Sequence, residues 1–148
     1  MQVSEILSQD RIRCDIDSQS KKSALETLAS LIASADSGLS ETEVFDSLIA
    51  RERLGSTGLG QGIALPHGRL KSTDHTLGAF VRLSSAIDFD AVDHKPVDLL
   101  FALLVPEEST EEHLQILSKL AELFSKPDML GKLRSEKTTG GIFALLSD

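Results

Sequence analysis

His67 is the side chain best suited to chemistry in this chain of 148 residues. It follows Pro66, which cannot donate to a β-ladder, and precedes Gly68, so we expect an exposed turn after a short strand, Ile63–Leu65. A neutral imidazole is a nucleophile near pH 7, because its ordinary pKa of about 6.5 leaves most of it uncharged. His67 is therefore either a candidate acceptor for a phosphoryl group or an ordinary exposed loop histidine.

A glycine-dense run precedes His67 and predicts a loop of exposed backbone amides. Such a loop can bring N–H groups close to a small anion, and it is also typical of a tight connection with no ligand. The candidate phosphate-binding residues in this run are Thr57, Gly58, Gly60 and Gly62.

Two further side chains could hold phosphoryl oxygens. Arg51 lies in the last turn of a predicted helix shortly before the glycine run. His113 lies in the first turn of a later helix, where the helix dipole favours anions and a neutral histidine could donate to phosphate. The alternative for His113 is a surface histidine at a helix start.

Other kinds of site are excluded because the residues that they need do not occur at the required spacing. Gly62 is followed by Ile63 where a P-loop needs Lys-Ser or Lys-Thr, and Ile63 also breaks a dinucleotide fingerprint, so no nucleotide cofactor is expected. No zinc-type spacing and no Gly-x-Ser-x-Gly elbow occur, so no metal and no hydrolytic triad are expected. We interpret His75 and His94 as solvated loop residues and Cys14 as a small buried hydrophobe.

Composition excludes several classes of partner. Fifteen Lys and Arg against 23 Asp and Glu give a net charge of −8, which disfavours nucleic acid, and no Trp or Tyr offers a stacking platform. The longest apolar run, Leu99–Val105, is too short to cross a bilayer, so no membrane insertion is expected. One cysteine and the absence of a secretory signal pattern lead us to expect a cytoplasmic setting.

The periodicities predict an α/β fold, with one mixed β-sheet flanked by helices on both faces. Capping-box patterns start two helices, Ser40 with Glu43 and Ser109 with Glu112. The predicted strands are Ile12–Ile16, Ile63–Leu65, Leu77–Leu83 and Val97–Val105. The predicted helices run from Ser20 to near Gly38, from Ser40 to near Gly55, from Ser109 past Phe124 to a boundary at Pro127, and from Thr138 to Leu146.

The segment from Arg51 to Arg69 resembles a known phosphorylation-site signature, that of the fructose/mannitol-type enzyme IIA domains of the bacterial phosphoenolpyruvate-dependent phosphotransferase system. Three other stretches are similar to the nitrogen-regulatory subgroup of that class: Ser20–Glu26, Ile87–Ala91 and Pro96–Pro106. The resemblance covers essentially the whole chain. It implies a single type-2 IIA domain over residues 1–148.

The resemblance also implies a role for each site residue. His67 would accept the phosphoryl group through Nε2 from a phosphohistidine on an HPr-like carrier, with Arg51 and His113 beside it. Its phosphorylation state would control regulatory target proteins. Two other functions stay open: a sugar-specific IIA component that passes phosphate to a transporter IIB domain, and a module that binds a small anion without covalent transfer.

Overall fold

A mixed β-sheet forms the centre of the protein in a computed structural model that describes residues 2–108 and 110–147. Within those residues the sheet has six strands: β1 (Ile12–Ile16), β2 (Gly58–Gly60), β3 (Ile63–Ala64), β4 (His67–Leu70), β5 (Leu77–Ile87) and β6 (Val97–Pro106). The helices in the same residues are α1 (Val3–Ile6), α2 (Lys21–Ala33), α3 (Glu41–Leu54), α4 (Thr110–Phe124), α5 (Pro127–Ser135) and α6 (Thr139–Ser147). A single 3₁₀ turn, Gln9–Arg11, precedes β1.

The sheet order is β1-β5-β6-β3-β2, and β4 lies beyond β3 along the same edge of β6. β5 and β6 are antiparallel, whereas β1 runs parallel to β5, and both β3 and β4 run parallel to β6. The predicted mixed α/β architecture is confirmed.

β6 is apolar nearly throughout because helices cover both of its faces. Alternate residues contribute to two separate cores, as the period of a strand requires. Leu100, Ala102 and Leu104 pack towards α2 and α3. Leu99, Phe101, Leu103 and Val105 pack towards α1, α4, α5 and α6. In the described ranges, no helix combines the length and the apolar character needed to cross a bilayer.

The start of α3 shows how far the predicted capping box forms. The Ser40 hydroxyl accepts a hydrogen bond from the Glu43 amide at 3.3 Å. The Glu43 carboxylate, however, accepts a hydrogen bond from the Ser72 hydroxyl at 3.3 Å, so it binds the loop after β4. The other predicted cap, Ser109, lies outside the described residues.

The later helices depart from prediction in two places. Residues after Pro127 form a separate helix, α5, with proline in its first turn, where the missing N–H costs nothing. The apolar pattern of Leu114, Leu117, Leu120, Ala121 and Phe124 predicts the buried face of α4. The structure instead buries His113, Ile116, Leu120 and Phe124, and Leu114 is 66% exposed. The observed face thus shares Leu120 and Phe124 with the predicted one and contains His113 and Ile116 in place of Leu114.

His67 begins strand β4 and does not lie in the predicted turn. It pairs in register with Leu103 of β6, and it is half-buried. The next residue, Gly68, lets β4 approach α3, because a Cβ there would lie 2.2 Å from the Ser47 hydroxyl. The absent side chain brings the C-terminal half of α3 next to His67.

Candidate functional site

His67 is held in one tautomer by a backbone carbonyl. Its Nδ1 lies 2.9 Å from the carbonyl oxygen of Leu65. A carbonyl only accepts hydrogen bonds, so Nδ1 must carry the proton, and the lone pair of the neutral ring is then on Nε2. Local chain geometry thus fixes the nucleophilic nitrogen, because Leu65 is only two residues away.

The surroundings of His67 favour the neutral ring. Burial lowers the pKa of His67 below its ordinary value, against the hydrogen bond to Leu65, which favours the charged form. The positive charges of Arg51 and Arg69 lower it further. Near pH 7 the imidazole is therefore uncharged and available as a nucleophile.

His113 is buried against His67, contrary to the alternative of a surface histidine. The two ring centroids are 5.5 Å apart, with planes inclined by 72°. Only 6% of His113 is exposed. Burial, followed by the proximity of His67 and Arg69, lowers the pKa of His113 to about 4.

The buried Nδ1 of His113 indicates which nitrogen is protonated. Among the residues that the structure describes, Nδ1 has no hydrogen-bond partner. Burying an unpaired N–H is costly, so the tautomer protonated on Nε2 is favoured. Nε2–H is then a donor available to a group in the cavity that His67 and His113 share.

That cavity is open, has a volume of about 340 Å³, and lies where the edge of the sheet meets α3 and the start of α4. Its lining residues are Ser47, Ala50, Arg51, Leu54, His67, Gly68, Arg69 and His113. The structure therefore brings together the predicted residues Arg51, His67 and His113. Nη1 of Arg51 donates to the carbonyl of Gly55 at 2.8 Å, which holds its guanidinium at the end of α3.

Arg69 is a lining residue that the sequence reasoning missed. A signal was present, because residues two apart in a strand share a face, and Arg69 is two residues after His67. Because a turn was predicted at His67, the two residues were not expected to lie on one face of a strand.

The structure does not place the predicted glycine-run residues around His67. Gly58–Gly60 is a strand, and Gln61 and Gly62 form a tight two-residue turn to β3 with φ of 60° and 84°. Along β6, the partner of Ile63 is Leu99 and that of His67 is Leu103. Four residues of strand correspond to about 13 Å, so this turn lies far from His67.

Thr57 has another partner. Both its amide and its hydroxyl donate to the carboxylate of Glu52, whose side chain is only 1% exposed. Lys21 forms an ion pair with the same carboxylate at 2.8 Å. Gly58, Gly60 and Gly62 are buried, so the predicted loop of exposed amides is a hairpin. Thr57 and the three glycines do not line the His67 cavity.

A larger cavity, of about 770 Å³, lies elsewhere and suits an anion poorly. Its lining residues are Lys71, Thr73, Asp74, Pro106, Glu107 and Glu108. Three of these six are carboxylates, and none is a histidine. Within residues 2–108 and 110–147, no cluster of three or more His, Cys, Asp or Glu side chains could hold a metal ion.

The remaining histidines and the cysteine lie away from the cavity. His75 and His94 are exposed, and Nδ1 of His75 lies 2.7 Å from Asp74. Cys14 is half-buried beside the core under α1 and α6, and so is less buried than predicted. Burial raises the pKa of the Cys14 thiol.

The chain is similar to known proteins over its whole length. The Nitrogen regulatory protein of Pseudomonas aeruginosa is 40% identical over 148 residues, which is all of this chain and 96% of that protein. The crystal structure of Nitrogen Regulatory Protein IIA-Ntr from Neisseria meningitidis matches with a TM-score of 0.93 and 45% identity, covering 97% of this chain and 98% of that one. The fructose-specific EIIA component of the phosphotransferase system from Haloferax volcanii is 35% identical, covering 96% of this chain and 94% of that protein.

A family model gives the same assignment. The model described as "Phosphoenolpyruvate-dependent sugar phosphotransferase system, EIIA 2" matches residues 5–148. That match contains all three predicted residues in the cavity, Arg51, His67 and His113, as well as Arg69. On the strength of this match and of the relatives, the chain belongs to the EIIA 2 family of the phosphoenolpyruvate-dependent sugar phosphotransferase system.

Proposed function

We propose that this chain is a phosphocarrier whose His67 takes a phosphoryl group from a phosphohistidine of an HPr-like carrier protein, and that phosphorylation controls its partner proteins. The observation that carries the proposal is the contact of 2.9 Å between Nδ1 of His67 and the Leu65 carbonyl. It leaves the lone pair on Nε2, in an open cavity with Arg51 and His113. Membership in a phosphotransfer family supports the same chemistry.

The transfer needs positioning and charge stabilisation more than covalent chemistry. The N–P bond of the donor breaks and its electron pair stays on the donor nitrogen, while the Nε2 lone pair of His67 forms the new N–P bond. Positive charge develops on the ring, and the Leu65 carbonyl stabilises it through the hydrogen bond at Nδ1. No proton has to leave the ring, and no metal takes part in this scheme.

Arg51 and His113 are the residues that we assign to the phosphoryl oxygens. Arg51 supplies a fixed positive charge and N–H donors, and its link to Gly55 limits its movement. Neutral His113 donates through Nε2–H, and it adds no further positive charge to the cavity that Arg51 and Arg69 line. Because Thr57 bonds to Glu52 and the glycines form a hairpin, we do not assign them to the phosphoryl group.

The test is phosphorylation by a phosphorylated HPr-like donor, followed by intact-mass analysis. Wild-type protein should gain one phosphoryl group in an acid-labile, alkali-stable linkage, as a phosphoramidate does. His67→Ala should gain none, whereas His75→Ala, which removes an exposed histidine outside the cavity, should be labelled like the wild type. Stoichiometric labelling of His67→Ala would overturn the assignment, and absence of any covalent label would favour a non-covalent anion-binding module.

Regulation of partner proteins is the role that the relatives favour. The relatives named nitrogen regulatory protein are 40% identical in Pseudomonas aeruginosa and 45% identical in Neisseria meningitidis, against 35% for the fructose-specific component. A phosphoryl group adds close to two negative charges at an open cavity lined by Arg51 and Arg69, so it should change binding at this surface. We place the protein in the cytoplasm, where a lone cysteine stays reduced.

The regulatory role is tested by comparing partners captured by phosphorylated and unphosphorylated protein. Coupling between phosphate and partner of about 1–3 kcal/mol would change affinity by about 5- to 150-fold. Equal affinity of both forms for every captured partner, together with rapid transfer to a sugar-transport IIB domain, would favour the transport function instead.

A further inference from the structure

Arg69 presents a second guanidinium at the His67 cavity. It lies two residues after His67 in β4, so the two side chains share one face of the strand, with Cα atoms about 7 Å apart. Both residues line the cavity. An arginine side chain is long enough to span that separation, and it can therefore reach a group bound to Nε2 of His67.

The backbone of Arg69 is held while its charge is left without a counter-ion. The Ser47 hydroxyl of α3 donates to the Arg69 carbonyl at 2.9 Å, which fixes the strand against the helix. In the part of the chain that the structure describes, no carboxylate lies within ion-pair distance of its guanidinium. Two other arginines differ, since Arg82 pairs with Asp15 and Arg134 pairs with Asp98.

Arg69 is exposed, so water solvates its charge in the empty site, and the lining of the cavity favours an anion. The net charge of the chain is −8, so carboxylates to neutralise an arginine are plentiful. The cavity nevertheless has two guanidiniums and two histidines and no carboxylate in its lining. The positive charge of Arg51 and, more weakly, that of Arg69 lower the pKa of His67, whereas Glu52, which is outside the lining, raises it.

We propose that Arg69, together with Arg51, binds the equatorial oxygens of the phosphoryl group as that group passes to Nε2 of His67. This inference rests on the proposed phosphocarrier function. During transfer the donor N–P bond lengthens before the new bond to Nε2 is complete, and charge spreads over the three oxygens. The planar fork of one guanidinium binds two oxygens at a time, and Arg69, which lines the same cavity as Arg51, adds N–H donors of its own.

The experiment measures single-turnover transfer from phosphorylated HPr-like donor at saturating donor concentration, in wild type, Arg69→Ala, Arg69→Lys and Arg53→Ala. Arg53 is the matched control, because it is an exposed arginine in the last turn of α3 and does not line the cavity. Arg69→Ala should slow transfer by about 10- to 100-fold, as expected for loss of a charge-assisted donor. Arg69→Lys should regain part of the rate, and Arg53→Ala should transfer at close to the wild-type rate.

Saturating donor separates this role from general attraction of the carrier. A slower Arg69→Ala at every donor concentration supports contact with the transferred group. Recovery of the wild-type rate at saturation, or an equal loss in Arg53→Ala, would overturn the inference. If wild-type protein itself takes up no phosphoryl group, the proposed function fails; if wild type and Arg69→Ala are labelled equally fast, only the role of Arg69 fails.

Discussion

Burial of His113 should make the protein less stable as the pH falls from neutrality. Its pKa is lowered from the ordinary 6.5 to about 4 in the folded protein, primarily by burial. In the unfolded chain the pKa returns to the ordinary value. Between these two pKa values the unfolded state binds a proton that the folded state does not, so the free energy of unfolding decreases as the pH falls.

The size of this effect follows from the two pKa values. One pKa unit corresponds to about 1.4 kcal/mol, so the difference between 6.5 and about 4 amounts to about 3 kcal/mol in total. Of this change in the free energy of unfolding, about 2 kcal/mol falls between pH 7 and pH 5. Above the unfolded pKa His113 contributes no pH dependence, and below the folded pKa its contribution is constant.

The perturbation is His113→Gln, which keeps an N–H donor and cannot take up a proton in this range. Urea unfolding of both proteins at closely spaced pH values gives the difference in the free energy of unfolding. Between pH 7 and pH 5 neither His113 nor a glutamine in its place is charged in the folded protein, so the contributions of the surrounding groups cancel in the difference. The gap between wild type and variant should change by about 2 kcal/mol from pH 7 to pH 5. Parallel pH curves, or an imidazole of His113 that titrates near 6.5 by NMR, would refute the reasoning.

Two further predictions concern α3. Arg51→Lys keeps the charge but loses the planar fork that donates to Gly55 and lines the cavity. Transfer to His67 should therefore slow in single-turnover assays, while the urea midpoint stays unchanged. A wild-type transfer rate in this variant would make Arg51 an ordinary helix residue. Glu52→Ala should lower the free energy of unfolding by about 3–5 kcal/mol, because it leaves the Lys21 charge and the Thr57 donors without their buried partner. Exposed Glu26→Ala is the control, and equal losses in the two variants would contradict this account.

Local residue types were sufficient to predict the central elements of the fold. β6 was predicted almost to its ends, because a nearly continuous apolar run of strand length indicates a central strand that is covered on both faces. The start of α3 at Ser40 was predicted equally well, since an N-cap depends on residues within three positions of one another. His67 was selected as the candidate nucleophile from its immediate neighbours, although the turn predicted there is a strand.

The phase of α4 could not be read from the sequence. Its apolar residues are compatible with two overlapping buried faces, one containing Leu114 and the other containing Ile116. Packing against the sheet selects the second face and buries His113 with it. The ring pair of His67 and His113 therefore depends on a contact between segments that are distant in the sequence.

The sequence by itself determined which residue is the candidate nucleophile, that the fold is α/β, and that charge disfavours nucleic acid, because these depend on residue type and short-range period. Only the tertiary structure decided what surrounds the nucleophile. The pairing of β4 with β6 and the close approach at Gly68 set Arg51, Arg69 and His113 around His67, and the β2–β3 hairpin carries the glycines away. These arrangements depend on strand register and helix packing, which link residues far apart in the chain, and only the position of Arg69 two residues after His67 had a local signal.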